Sequence, residues 1–574
     1  MILYLLLYIF LLYYKLKLYC LLKGEFSMSL RNIYKLFKPY MSAIYSILIF
    51  SILVSLISVA APFVNRFMID QGLLSGNIHV VFIAILLLLL LHTCDNTIQY
   101  FQAKQEILVA NSFGKDLKVK AMRHGLKLNP EHFKEQGFYK TIGDVLYDIS
   151  SLMGITSSNF LMLFLIICKA IGAAIGLFLL NWQLALLMLP LIFIKIAYNI
   201  WMRTKSEKLG KESMEVNKQY NTWFSDLLSG AIDIKLWNLH EKKIAEYGEH
   251  VDNMNEASKN MSLFTTKNTR MMQVVELAFI NLMYLPGAAL IQDGRLTLGS
   301  LVTFITFSSY LLIPVDAIMH LRLILKQIKP CVEDIQKFFA LEEENYDSHL
   351  LPKPEISKIE FKDVSVSFDN RRILKNISFE INKGEKVALA GDNGSGKTTL
   401  LNLLLGLHRA SSGEILIDGI PIQEYNIEAY RKKISAVLQD VHLFGGTVRE
   451  NIILDDKTSF HPDRFPVFCT EAVHKLKKQF DTAVGTGGTK LSGGEKQKVG
   501  LLRALNRPTE ILVLDEASSN YDKESEEAFN LFIKENTDYN FYFIITHRKE
   551  ALAYVDKVIF LSHGKITQIK QTSQ

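Results

Sequence analysis

Residues 387–404 read VALAGDNGSGKTTLLNLL. Val387–Ala390 is an apolar run that reads as a short buried strand, and a helix opens at Lys397. Between them stands Gly391-x-x-x-x-Gly396-Lys397-Thr398, the phosphate-loop pattern, in the strand-to-helix setting it requires. Glycines let the backbone wrap phosphates, and N–H groups at a helix start point at negative charge. Gly391, Asn393, Gly394, Ser395, Gly396, Lys397, Thr398 and Thr399 are therefore the expected ATP cradle. Lys397 reaches the outer phosphates, and the Thr398 hydroxyl ligates Mg2+. The motif alone implies nucleotide binding in an α/β domain.

Farther along, the apolar run Ile511–Leu514 ends in Asp515–Glu516. A buried strand that delivers two carboxylates at its tip suits Mg2+ binding by Asp515 and water activation by Glu516. Between the two motifs lies Leu491-Ser492-Gly493-Gly494-Glu495, followed by Lys496-Gln497. This run resembles the signature motif of ABC ATPases, and the order of phosphate loop, signature and Asp-Glu strand fits that class.

The resemblance implies that the signature of one subunit closes over the ATP of the other, with Ser492, Gly493 and Gly494 on the γ-phosphate. It places Phe368, ahead of the phosphate loop, against the adenine. Gln439 in SAVLQD matches the glutamine that contacts Mg2+ and the attacking water. Asp522 in SSNYD matches the aspartate of the loop that crosses the dimer interface. His547 in IITHR matches the switch histidine at the γ-phosphate. The catalytic set so implied is Glu516, His547, Gln439 and Lys397, and the metal set is Thr398, Gln439 and Asp515. Three departures stand out. The signature ends in Glu495 where Gln is usual. Asn520 and Tyr521 replace the usual Ala and Leu ahead of Asp522. The stretch Thr482–Gly488 lacks the two Glu and the Arg that many exporters use against their cytoplasmic loops.

The first half of the chain is of another kind. Hydrophobic residues make up 49% of the 574 positions, and from Met41 to Tyr310 they recur in runs of about 20, the length of a bilayer-spanning helix. Six spans are expected: Met41–Ala61, Ile78–Gln99, Ser151–Leu180, Gln183–Met202, Met271–Ile291 and Leu298–Leu325. The connections alternate between short and long, and the long ones carry the Lys and Arg, which places them and the second half in the cytoplasm. They read as helical, so the membrane helices should continue past the bilayer. NPEHFKEQGFYKTIGDV (129–145), NWQLALLMLP (181–190) and LTLGSLVTFITFSSYLLIPV (296–315) resemble stretches of six-span ABC exporters. Residues 1–27 are an apolar extension of uncertain standing, and Glu342–Pro354 is polar with two prolines, as a linker is.

A net charge of +6 with the basic residues spread through loops argues against a nucleic-acid partner. The five cysteines are scattered, with neither a CxxC pair nor metal-ligand spacing. Several charges lie inside the spans, where they are costly and face a cavity or a partner. At 1.5 Å per residue, Lys169 lies roughly 16 Å below the outer surface, and Asp95, Lys195, Glu276 and Asp316 roughly 20–25 Å below it. Lys195 and Glu276 are expected to pair or share a polar pocket.

The expectation is an all-α six-helix exporter domain (28–340), a linker (341–357) and a cytosolic α/β ABC ATPase domain (358–574). Two copies, or this chain with a different half, would use ATP and Mg2+ to move an amphiphilic substrate out across the cell membrane. The substrate would be a processed peptide, a lipid or a drug-like molecule. An ATP-gated channel or a regulatory subunit on the same scaffold is the alternative.

Overall fold

A computed structural model describes residues 38–133, 137–156, 159–368, 371–455, 459–462, 465–507 and 509–572. The apolar extension at 1–27 lies outside the described residues. Two compact units result. One gathers the chain up to Met122 with Ile142–Ala340, and the other gathers Arg123–Thr141 with Leu341–Gln574.

The first unit is helical. Its elements are α1 (Met41–Phe67, extended by a wider turn at Met68–Leu73), α2 (Ile78–Lys127), α3 (Gly137–Thr156), α4 (Asn159–Leu180), α5 (Trp182–Leu187), α6 (Leu189–Ser229), α7 (Ala231–Leu236), α8 (His240–Leu282), α9 (Tyr284–Gln292) and α10 (Leu298–Phe339). Among the described residues, five helical stretches are long and apolar enough to cross a membrane, and Phe164–Leu180 within α4 is a sixth apolar stretch. α2 holds 50 residues, about 75 Å at the helical rise, against a hydrocarbon core of about 30 Å. The helices do continue beyond the bilayer, as the polar long connections foretold.

Two spans are less regular than expected. The fourth and fifth break at Met188 and Met283, just ahead of Pro190 and Pro286. A proline ring has no N–H to give and crowds the preceding turn, so the helix restarts there. The short outer connections are capped by side chains. Asn181 accepts the N–H groups of Gln183 and Leu184, both at 3.0 Å. Asp70 accepts the Thr297 hydroxyl at 2.5 Å and the Gly299 N–H at 2.8 Å, tying the outer end of α1 to the start of α10. Close approach of helices explains two glycines of α4. A Cβ on Gly172 would stand 2.4 Å from Val59 of α1, and one on Gly176 would stand 2.6 Å from Phe307 of α10. Small residues of this kind let membrane helices pack by contact alone.

The second unit is α/β. An antiparallel sheet holds β1 (Lys358–Phe368), β2 (Arg371–Asn382), β4 (Ser412–Ile417) and β5 (Ile420–Pro421) in the order β2-β1-β4-β5. The larger sheet also takes β3 (Lys386–Gly391), β6 (Ile434–Val437), β7 (Ile511–Asp515), β8 (Phe541–Ile545), β9 (Lys557–Ser562) and β10 (Lys565–Gln571), in the order β10-β9-β3-β8-β7-β6. β7 and β8 are buried at every position, as strands covered on both faces must be. The helices are α11 (Lys397–Leu404), α12 (Ile427–Arg431), α13 (Val448–Ile453), α14 (Val467–His474), α15 (Gly493–Leu505) and α16 (Lys523–Glu535).

The segment Arg123–Thr141 joins this unit through main-chain bonds. Leu128 bridges Glu343 in antiparallel fashion, and Glu344 donates its N–H to the Lys127 carbonyl at 2.8 Å. The Glu343 carboxylate meets His124 at 2.6 Å. Glu344 forks onto Arg431 at 2.6 and 2.8 Å, which fixes the linker to α12. Bidentate pairing of this kind holds orientation as well as position.

Candidate functional site

In an open sheet, ligands bind beyond the carboxyl ends of the parallel strands. β3, β6, β7 and β8 run parallel, with Leu389 and Asp515 both in register with Ile545. The four motifs read from the sequence follow these four strand ends. The phosphate loop leaves β3, Gln439 follows β6, Asp515–Glu516 closes β7 and His547 follows β8.

Glu516 is the centre of this arrangement. His547 Nε2 stands 2.8 Å from its Oε1, and Gln439 Nε2 donates to its Oε2 at 3.1 Å. The Glu516 backbone is left-handed, at φ 49°, a conformation that a non-glycine residue holds only when its surroundings enforce it. Its N–H donates to the Ile545 carbonyl at 3.0 Å, and its own carbonyl accepts the Ser519 N–H at 3.0 Å. The carboxylate is thereby aimed outward from the strand tip instead of back along it.

Asp515, next to it, is almost fully buried. Burial first, and the Glu516 charge second, push its carboxyl up to about 6, with Lys397 pulling the other way. Lys397 donates to the carbonyls of Gly391 and Asp392 at 2.8 and 3.0 Å. Burial lowers its ammonium below the usual lysine range, opposed by Glu516, Asp392 and Asp515. At two of its glycines the loop leaves no room for a side chain, and a Cβ on Gly396 would lie 2.5 Å from Leu374. A Cβ on Gly391, at φ 149°, would lie 2.1 Å from the Leu561 carbonyl oxygen. Ser395 is buried and its hydroxyl has no partner among the described residues. An orphaned hydroxyl and an under-neutralised carboxylate are what a phosphate–Mg2+ group would satisfy, so these residues fit such a ligand.

The signature starts α15. Ser492 caps this helix, with its N–H and hydroxyl both 2.7 Å from Glu495 Oε2, and it accepts the Glu495 N–H at 3.4 Å. Glu495 thus fills the capping-box position, which Glu and Gln can both take. Tyr521 is accounted for too. Its ring is buried at edge-on angles to Phe468 and Phe529, so the unusual residue anchors its loop in the core beside α14 and α16. Asp522 caps α16 by accepting the Ser525 N–H at 2.9 Å. Phe368 is the last residue of β1, opposite Arg371.

Residues 44–315 match the family described as ABC transporter transmembrane region, and residues 374–519 match the family described as ABC transporter. The chain belongs to the ABC transporter family. A β-(1→2)glucan export ATP-binding/permease protein of Bartonella bacilliformis is 30% identical over 408 residues, 68% of this chain and 67% of that one. An ATP-dependent lipid A-core flippase of Legionella pneumophila is 25% identical over 563 residues, 95% of each chain. A solved bacterial Atm1-family ABC exporter with ATP bound shares the fold, with a TM-score of 0.76 and 21% identity over 93% of this chain and 95% of that one. This ABC exporter is thus a multi-pass membrane protein with a helical exporter domain and an ATP-binding α/β ATPase domain, and it drives export with ATP.

Inside the membrane half, the exporter holds the ion pair expected of Lys195 and Glu276, with a third member. Lys195 is 1% exposed. Its ammonium meets Glu276, Asp316 Oδ2 at 2.7 Å and the Leu312 carbonyl at 3.1 Å. One cation therefore joins α6, α8 and α10. Asp316 was visible in the sequence as an intramembrane charge at the same depth but was not named as a partner. No ion pair to Lys169 is found among the described residues.

Sequence reasoning placed Gln497 after the signature but gave it no role. It is 2% exposed, two positions beyond the signature, and one turn along the helix from Gly494. A Cβ on Gly494 would lie 2.8 Å from the Asn520 carbonyl, so that face of α15 lies against the loop after Glu516. The signal in the sequence was a polar residue at helical spacing from Leu501, Ala504 and Leu505, on the apolar face of this helix.

Proposed function

We propose that two copies of this exporter pair and move an amphiphile outward by alternating access, with residues 28–340 as the membrane domain, 341–357 as the linker and 358–574 as the ATPase. The observation that carries the reading is Glu516, held at the tip of β7 by Gln439 and His547 beside a phosphate-binding loop. In this scheme Glu516 takes the proton of the attacking water. Gln439 and His547 orient the carboxylate, and His547 and Lys397 face the γ-phosphate. Thr398, Gln439 and Asp515 would hold Mg2+, which when bound supplies charge neutralisation on the phosphates. Gly391, Asn393, Gly394, Ser395, Gly396 and Thr399 line the phosphates, and Phe368 stacks on the adenine.

The start of α15 supports pairing: with Ser492, Gly493 and Gly494 at a helix N-terminus it is suited to a phosphate held by a partner. The cytoplasmic tip at α7 supports pairing as well. Ile232, Leu236 and Trp237 are 74%, 70% and 73% exposed, an apolar tip beyond the bilayer that fits a protein surface of the second copy. Names of the relatives favour a lipid-linked or glycan-bearing amphiphile as cargo.

Purified exporter in proteoliposomes tests the reading. Addition of ATP and Mg2+ should move a headgroup-labelled lipid between leaflets, and lipid should raise ATPase by about twofold or more. Lipid movement that proceeds without hydrolysis would point to the channel alternative. The metal role has its own test. Because Asp515 must be ionised to hold Mg2+, protons compete with the metal as pH falls through about 6. The Mg2+ concentration for half-maximal hydrolysis should rise about tenfold per pH unit below that value and level off above it. An unchanged Mg2+ requirement from pH 7.5 to 5.5 would remove Asp515 from the metal site.

A further inference from the structure

Gln497 makes three hydrogen bonds, all to the segment that carries Glu516. Its Nε2 donates to Ser519 Oγ at 2.8 Å and to the Glu516 carbonyl at 3.4 Å, and its Oε1 accepts the Asn520 N–H at 3.1 Å. A buried amide that satisfies both of its ends on one turn fixes that turn. The turn fixed here contains the left-handed Glu516. At the far end of the same helix, Arg503 is committed in a similar way. Its guanidinium donates to the His442 carbonyl at 3.0 Å and to the Asn451 carbonyl and side chain at 2.8 and 3.0 Å. Asn451 in turn accepts the Phe444 N–H at 2.8 Å. The signature helix is thus stapled at one end to the turn that carries Glu516 and at the other to the loop that follows Gln439, one of the groups that converge on its carboxylate.

We propose that Gln497 is a positioning residue for hydrolysis. It ties the signature helix, which serves the partner's nucleotide, to the backbone of Glu516 in its own site, so that closing over one ATP aligns the carboxylate on the other. The proposal rests on the reading of Glu516 as general base and of the paired sites. It adds a route between those sites that runs through one side chain. Asn520, one of the two unusual residues of this loop, takes part through its N–H and not its side chain, so the route does not depend on that departure.

The test uses the full-length exporter in nanodiscs with four variants. Q497M keeps the length of the side chain and removes its amide. Q497E keeps an acceptor for the Asn520 N–H and turns an oxygen toward the Glu516 carbonyl. S519A removes one partner on an exposed turn. E516Q reports on the underlying reading. Steady-state kcat and KM for ATP are measured, together with ATP-induced crosslinking between a cysteine placed near Ser492 and one placed near Ser395 of the other chain. A misplaced base lowers kcat without weakening ground-state binding. Q497M and Q497E should lose about tenfold or more in kcat, with KM within about twofold and crosslinking retained. S519A should lose less, about threefold. If kcat in Q497E and S519A stays at the wild-type value, the positioning role is overturned, whether or not Q497M folds. A rise in KM with loss of crosslinking in the Gln497 variants would also overturn it, by showing a damaged signature helix. Should E516Q itself hydrolyse ATP at the wild-type rate, the reading of Glu516 falls first and independently.

Discussion

Glu516→Gln leaves ATP binding intact and lowers turnover by about 10²-fold or more, the usual consequence of removing a general base. The geometry makes this a chemical loss and not a structural one. The amide is the same size and shape as the carboxylate. Its oxygen can still accept from Gln439 Nε2, now 3.1 Å from Oε2, and its NH2 can donate to His547 Nε2, now 2.8 Å from Oε1, in the tautomer that leaves that nitrogen free. The left-handed backbone at φ 49° is held by a bond to the Ile545 carbonyl and one from the Ser519 N–H, which the substitution does not touch. Loss of the neighbouring charge also relieves Asp515, whose carboxyl Glu516 helps to push up, so metal affinity should not fall. Equilibrium nucleotide binding and steady-state ATPase on the same preparation separate the two effects. ATPase within twofold of the unsubstituted exporter would remove Glu516 from the chemistry.

How much of this was legible in the sequence depends on the range of the interactions concerned. The phosphate loop was fully legible because its parts are contiguous, and a strand, glycines and a helix start must follow one another for the loop to form. The convergence of Gln439, Glu516 and His547 was legible only through the resemblance, since separate strands deliver them and strand order is not written in any one segment. The breaks at Met188 and Met283 had their signal in Pro190 and Pro286, yet apolar continuity outweighed it when spans were counted by length. Glu495 and Tyr521 looked like departures because they were compared with a pattern. In place, Glu495 closes a helix cap with Ser492 and Tyr521 fills a core site. Both are local solutions whose partners lie near or under the motif. Gln497 stayed hidden for the opposite reason, since its three partners lie in another motif altogether.

Lys195→Met should sharply lower the amount of folded exporter, and Lys195→Met with Glu276→Met should recover most of it. At 1% exposure, the Lys195 ammonium has almost no access to water and relies on Glu276, Asp316 and the Leu312 carbonyl. Removing one partner of a buried pair strands the other, typically at about 3–5 kcal/mol. The two carboxylates differ in how badly they are stranded. The Glu276 side chain is 18% exposed and that of Asp316 is 61% exposed. Asp316 can therefore recover hydration, whereas Glu276 stays largely desolvated without a partner. The loss in Lys195→Met accordingly falls mostly on Glu276, which is why removing Glu276 as well restores the fold while leaving Asp316 in place. By the same logic Asp316→Asn should be mild, because Lys195 keeps its more buried partner. Lys169→Met, which breaks no ion pair among the described residues, should fold like the unsubstituted chain. The yield of monodisperse protein and its melting temperature in one detergent would rank the four variants. A double variant no better folded than Lys195→Met alone would show that the charge is not what the site depends on. The packing of the lysine stem among α6, α8 and α10 would then be the stabilising element.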